Sequence, residues 1–303
     1  MNRSELLRRI APFPLLARGL ASDLLSGNYR SIFKGQGIEF DEVRRYEAED
    51  DARSIDWNVS ARFGVPYIKM YREEREMTVC IILDTSASMH TSGFSAGSSG
   101  SKDKAVTTLY EQALLAAALI AFSAERSGQR LSAIFFDRKI QRVFPPRKGR
   151  QHIMSFISAG LENRPLEKGT GLGLALEGAG RLLKRRSLVI IISDFFSISW
   201  EHEIGEISRC HDVIAIRILS PDEKEFSAEG FFTLEDPETG AAVHSPPFSG
   251  FRSGWKLWHE ERQNLCETIM RREGVAFLNL STADDTAAVL AGFFKRTHDR
   301  REL

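Results

Sequence analysis

The chain has 303 residues, 42% of them hydrophobic, which is enough to bury a full core, and it reads as one large domain with an N-terminal extension. Lys and Arg (41) balance Asp and Glu (41) to a formal net charge of +0, so no global field draws in nucleic acid or an anionic membrane. The three cysteines, Cys80, Cys210 and Cys266, are odd in number and far apart; they build neither a disulfide framework nor a zinc knuckle, and they fit a reducing, cytoplasmic setting.

In chain order, Met1 to Ile10 is too charged for a secretory leader, and the longest apolar run, 114–122, is too short to span a bilayer, so no membrane insertion is expected. Residues 1–27 alternate Leu and Ile with Arg and break at Pro12 and Pro14, predicting two short amphipathic helices. Residues 35–76 are rich in Arg, Asp and Glu yet carry Phe40, Tyr46, Ile55, Trp57, Phe63, Tyr67 and Ile68, too many large apolar groups for disorder. Residues 1–76 therefore read as a helical and mixed accessory segment, in which Asp50, Asp51, Arg53, Asp56 and Arg62 satisfy one another rather than form a catalytic cluster.

Residues 77–303 form the main domain. Apolar runs at 78–83, 131–136, 188–192, 213–218 and 275–280 predict strands covered on both faces. Helical stretches at 104–126, 150–162, 171–184, 201–209 and 255–272 alternate with them, giving an α/β fold: a Rossmann-like, mostly parallel sheet sandwiched by helices. The turn after Phe136 into 141–144 predicts one antiparallel edge strand. Residues 92–101 read as a Ser/Gly-rich loop, and 226–249, with two Gly and three Pro, as a β-hairpin excursion.

The first main-domain strand runs into Asp84-Thr85-Ser86-Ala87-Ser88, an Asp-x-Ser-x-Ser pattern whose alternate residues can turn three oxygen donors the same way. Alone, such residues also end strands and cap turns. Two further donors reach the same sheet edge: Asp194, just past the strand 188–192, and Thr170, which opens the helix preceding that strand. Two carboxylates and three hydroxyls suit one hard cation, Mg2+ by default, with Mn2+ or Ca2+ acceptable to the same oxygens, and leave room for an acidic side chain from a protein partner.

The elements Asp84, Ser86, Ser88, Thr170 and Asp194, in this order, resemble the metal-ion-dependent adhesion site (MIDAS) of von Willebrand factor A domains, over roughly the last three quarters of the chain. Gly35-Gln36-Gly37-Ile38-Glu39-Phe40, Arg44-Arg45-Tyr46, Asp50-Asp51-Ala52-Arg53-Ser54-Ile55-Asp56-Trp57, Ser60-Ala61-Arg62 and Lys69, with the later Leu234-Glu235-Asp236-Pro237-Glu238-Thr239-Gly240, resemble the bacterial family catalogued as domain of unknown function 58. That resemblance implies a MoxR-type AAA+ ATPase as partner and an adaptor or co-chaperone role in assembling or activating other proteins.

Competing readings are weaker. Gly169-Thr170-Gly171-Leu172-Gly173 lacks the preceding strand and the Gly-x-x-x-x-Gly-Lys-Ser/Thr pattern of a nucleotide cradle. Arg181, Lys184, Arg185 and Arg186 suit a solvated helix C-terminus rather than a nucleic-acid site. His90, with no second His nearby, reads as solvent-exposed, and Trp255, Trp258 and Leu265 read as core packing. The chain is thus expected not to be an enzyme. The alternative is a Mg2+-dependent phosphohydrolase with Asp84 as nucleophile, disfavoured because Ser86 stands where a second acid would be needed.

Overall fold

The computed structural model describes residues 38–47, 50–51, 55–73, 77–91, 108–197, 199–221, 232–236, 238, 240–245 and 249–299. The helices expected over 1–27 and the loop over 92–101 lie outside them. The chain divides into two compact units, one being Tyr29–Glu76 and the other containing Met77–Leu303.

In the smaller unit, β1 (Ile38–Arg45) pairs antiparallel with β2 (Tyr67–Glu73). A short helix that sequence periodicity did not announce, α1 (Trp57–Phe63), lies between them in the chain. Its ends explain it: the Asp56 carboxylate accepts from Asn58 N and Val59 N, and Gly64, at φ 70°, closes the C-terminus onto Ser60 O. Of the charges expected to satisfy one another, Asp50 is instead met by Arg44, whose Nη2 lies 2.6 Å from its Oδ1, and Asp56 is taken up by the helix cap.

The larger unit is built on a six-stranded sheet. Its strands are β3 (Thr78–Asp84), β4 (Arg130–Phe136), β5 (Ile140–Arg147), β6 (Leu188–Ser193), β7 (Asp212–Leu219) and β10 (Ala276–Ser281), in spatial order β10-β7-β6-β3-β4-β5. All neighbours are parallel except β5, which runs antiparallel to β4 as the turn after Phe136 predicted. The chain lays β3, β4 and β5 outward in one direction, then returns to lay β6, β7 and β10 on the other side of β3. The order therefore reverses between β3 and β6, and the crevice at the carboxyl ends of those two strands is where such sheets place their ligands. The excursion forms a two-stranded hairpin, β8 (Phe232–Glu235) with β9 (Ala242–Ser245).

Because side chains alternate across a strand, the fully apolar runs serve two cores. On one face Cys80, Ile82, Ile134, Val189, Ile191 and Ala215 pack under helices α4 (Leu172–Leu182), α5 (Glu201–Cys210) and α6 (Ser249–Arg272). The residues between them in sequence, such as Ile81, Leu83, Phe135 and Ile190, are buried on the opposite face, where α2 (Leu109–Arg126), α3 (Arg150–Glu162) and α7 (Thr286–Asp299) pack. Alanines 113, 116, 117, 118, 121 and 124 of α2 are all buried, which lets that helix lie close to the strands. Among the described residues, no helix is long and apolar enough to cross a membrane.

Several expectations need correction. The helix expected from 104 begins at Leu109, because Thr108 is extended and forms a reciprocal cap with Glu111. The C-terminal helix α7 was not anticipated. His90 is half-buried and stacks on Tyr110 with ring centroids 4.4 Å apart, rather than facing solvent. Trp258 and Leu265 are 46% and 59% exposed, since the buried face of α6 follows His259, Cys266 and Met270 at helical spacing and those two side chains lie off that line. Arg186 is not simply solvated: it pairs with the buried Asp212 at 2.9 Å.

His259 is buried against Trp255, with ring centroids 4.6 Å apart. Burial, and then the charges of Arg217 and Arg262, push its pKa down to about 4 from the usual 6.5. The unfolded chain therefore binds more protons between those values, and this residue's contribution to stability falls as pH drops from about 6.5 towards 4. In urea titrations at pH 7 and pH 4.5, His259→Phe is expected to lose less stability on acidification than the parent protein. An equal loss in both would remove His259 as a source of acid sensitivity.

Candidate metal centre

The strand ends deliver the first acids to the crevice. Asp84, the last residue of β3, is fully buried. Its Oδ1 accepts from Ser86 N at 2.9 Å and its Oδ2 from Ser193 Oγ at 2.6 Å. The next donors follow on alternate residues, with Ser86 Oγ and Ser88 Oγ 3.1 Å apart. Between Asp84 and Ser86, Thr85 is used structurally: its N–H and its hydroxyl both donate to Phe136 O, at 2.7 and 2.8 Å, tying the turn to β4. Ser86 is buried; Ser88 opens a single turn of 3-10 helix, Ser88–His90, and is half-buried.

Asp194 follows β6 and is 2% exposed. Its Oδ1 accepts from Phe196 N at 3.0 Å, whereas Oδ2 is buried without a hydrogen-bond partner. The local backbone is unusual: Phe195 has φ 56°, a left-handed conformation costly for a bulky side chain. Packing holds it there, with Phe195 buried against Trp200 and Phe277. Burial drives both carboxyls above the usual range, and the charge of Asp194 drives Asp84 further up. On Asp194, the Ser88 hydroxyl and the Phe196 N–H oppose the effect of burial, Glu238 adds to it and Arg217 counters it.

Thr170 reaches this rim through its neighbours. Gly171 N donates to Asp137 O at 2.7 Å, and a Cβ on Gly171 would sit 2.4 Å from Arg138 O, so only glycine lets the loop approach the β4–β5 turn this closely. Asp137, 1% exposed, accepts from Leu166 N and Glu167 N, both at 3.0 Å, and from Lys139 N and the Gln141 side chain. Burial alone would raise its carboxyl, but these donors outweigh it and hold it below the usual range. On the other side, Gly169 N donates to Glu238 Oε2 at 2.6 Å, and the same carboxylate accepts from Ser88 N through Oε1 at 2.8 Å. Asp84, Ser86, Ser88 and Asp194 thus form one linked group, with Thr170 half-buried in a loop joined to it by Glu238.

Sequence reasoning missed three members of this neighbourhood. Ser193 passed as one more strand residue and Asp137 as a turn residue. Glu238 lies in the segment that carries the family resemblance, but sequence spacing does not bring it to the site.

The donors test well against a hard divalent cation. All are oxygens, with no sulfur or imidazole among them, which suits Mg2+, Mn2+ or Ca2+ better than softer metals. The partnerless Asp194 Oδ2 and the repulsion between two buried carboxylates are the features a cation would relieve. Among the described residues, no three His, Cys, Asp or Glu side chains cluster as a metal site by themselves, so a cation here would need the hydroxyls and water as well.

A mostly parallel sheet in this order, antiparallel at one edge, with an Asp-x-Ser-x-Ser turn at its switch point, defines a von Willebrand factor A-like domain. The chain belongs to the family described as "Protein of unknown function DUF58", whose model matches residues 42–252. It is 30% identical over 274 residues to the uncharacterized protein Rv1480 of Mycobacterium tuberculosis, spanning 89% of this chain and 83% of that protein. Among solved structures, similarity extends to BatB of Bacteroides thetaiotaomicron (14% identity, 74% of this chain and 99% of that one, TM-score 0.49). It extends also to the SpRpn10 VWA domain (9% identity, 72% and 94%, TM-score 0.41). The fold assignment rests on the strand order of this chain itself.

Asp137 is a positioning residue for the Thr170 loop. Asp137→Ala is expected to lower stability by about 2–3 kcal/mol, the scale of buried hydrogen bonds to a charged acceptor, and Asp137→Asn by less. Urea denaturation reads both. Unchanged stability in the alanine variant would show that the loop is held by other means.

Proposed function

We propose that this protein is a divalent-cation-dependent interaction module: Asp84, Ser86, Ser88, Thr170 and Asp194 hold Mg2+, or Mn2+ or Ca2+ in its place, and the cation receives an acidic side chain from a protein partner. The observation that carries this reading is the buried, partnerless Oδ2 of Asp194 beside a second buried carboxylate. An isolated pair of this kind is destabilising, and structure-only roles do not call for it. The partner class implied by the family resemblance is a MoxR-type AAA+ ATPase, with this chain as adaptor or co-chaperone in the cytoplasm; the exposed free thiol of Cys210 is in keeping with that compartment.

The phosphohydrolase alternative finds less support. Asp84 is fully buried, each of its oxygens already accepts a hydrogen bond, from Ser86 N or Ser193 Oγ, which blunts its nucleophilicity, and Ser86 stands where a second acid would be needed. Turnover of a generic phosphate ester with Mg2+, abolished by Asp84→Ala, would reverse this preference.

Two measurements test the interaction reading. Mg2+ at one hundred times its Kd should stabilise the protein by about 2.7 kcal/mol in thermal or urea unfolding, and Asp194→Asn should remove that gain while leaving the cation-free protein as stable as the parent or more so. Capture of a MoxR-type ATPase should be lost in EDTA and in Asp194→Asn. Capture that survives both would refute metal bridging.

A further inference from the structure

The β8–β9 hairpin carries an acid to the mouth of the site, and the hairpin tip is built to present it. Asp236 N donates to Ala241 O at 2.8 Å and Gly240 N to Asp236 O at 2.7 Å, closing the turn, while Asp236 Oδ1 accepts from Glu238 N at 2.9 Å. Glu238 is thereby fixed at the apex. Its two carboxylate oxygens accept from two backbone N–H groups, Ser88 N at 2.8 Å and Gly169 N at 2.6 Å. One donor belongs to a candidate ligand and the other precedes a second one, Thr170, so Glu238 spans the two loops that supply the neutral oxygens.

Such a pair of N–H groups is a receptor for any carboxylate, because backbone donors do not depend on which chain brings the acid. Resting on the metal-site reading above, we propose that Glu238 is an internal stand-in for the partner's acidic side chain: it occupies the mouth of the site in the resting protein, and the partner engages by displacing it. Two physical features make the contact displaceable rather than structural. The charges of Glu238 and the buried Asp194 repel each other while no cation is present, and the hairpin is an excursion from the six-stranded sheet, so its withdrawal leaves the strand pairing of that sheet intact. Tethering gives the internal acid a high effective concentration, which sets a threshold that a free carboxylate must exceed.

The test uses the full chain with Mn2+ as the metal and acetate as the competing carboxylate, read by water-proton relaxation of the bound ion. In Glu238→Ala, more water should reach bound Mn2+ than in the parent protein, and acetate should lower the relaxation at concentrations on the order of tenfold smaller. Glu238→Gln should fall between the two. In the metal-free protein, amide exchange at Ser88 and Gly169 should accelerate in Glu238→Ala while amides of β3 and β6 stay protected, which separates a released hairpin from a misfolded domain. Equal relaxation and equal acetate response in parent and variant, both binding Mn2+, would overturn the stand-in role and leave the metal reading standing. Loss of Mn2+ binding in Glu238→Ala alone would make Glu238 an obligatory part of the metal site and overturn displacement. Absence of Mn2+ binding in the parent protein would overturn both.

Discussion

Two carboxylates buried at the switch point of one sheet govern the rest of this structure. Asp84 and Asp194 end neighbouring parallel strands, and the sheet order leaves no freedom to separate them. Each is driven towards its neutral form by burial, and the charge of Asp194 adds to that pressure on Asp84. The two are not equivalent, however. Asp84 is hydrogen-bonded on both oxygens, by Ser86 N and Ser193 Oγ, and can serve as a fixed anchor. Asp194 has one oxygen bonded and the other left without a partner. That asymmetry gives the site a direction: the unmet demand lies on Asp194, the carboxylate that the Ser88 hydroxyl and the charge of Glu238 act on.

The surrounding polar groups make sense as supports for this arrangement. Thr85 is committed to Phe136 O, so the two serines that follow it, Ser86 and Ser88, are the hydroxyls the turn leaves to the site. Asp137 gathers four donors from its own turn and from residues 166–167, and its carbonyl receives Gly171, so one buried acid ties the antiparallel edge to the loop that carries Thr170. The left-handed Phe195 shows the same principle in the backbone. A strained conformation beside Asp194 is held by a buried aromatic cluster. Aromatic packing on one face of the sheet is thus what keeps the acid in position at its edge.

What the amino-acid order reveals about such a molecule follows from how local each signal is. Four of the strands are continuous apolar runs buried along nearly their whole length, so they stand out without any partner in view, as does the antiparallel edge beyond a tight turn; the fifth run, β10, lies at the other edge and is half-buried at four of its six residues rather than covered on both faces. The Asp-x-Ser-x-Ser turn, Thr170 and Asp194 are legible because each sits just past or just before such an element. Glu238 and Asp137 are not, because their roles depend on hydrogen bonds spanning 150 and 29 residues, for which no periodicity exists. The surroundings of His90 were hidden for the same reason: the ring it stacks on, Tyr110, belongs to α2, well downstream in the sequence. The exposure of Trp258 was hidden differently. Helical spacing reports that a face exists, and a residue one position off that face can look like a member of it.

That exposed aromatic face bears on how the excess negative charge is balanced. Arg262 stacks over Phe196 at 5.2 Å and Trp258 at 5.5 Å, and its guanidinium donates to Phe196 O. It is attracted to Asp194, and Arg217, whose guanidinium lies 5.9 Å from the Phe196 ring centroid, acts on Asp194 in the same sense. Neither arginine closes a hydrogen bond on Asp194 Oδ2. Compensation at a distance lowers the energy of the buried charge without saturating the oxygen, which a direct ion pair would have done. Arg262 is held instead by the Phe196 carbonyl and by the Phe196 and Trp258 rings, contacts that engage its guanidinium away from the carboxylate. The aromatic residues after Asp194 and on α6 therefore act on the site electrostatically, by keeping a cation near enough to support the acid and too far away to occupy its place.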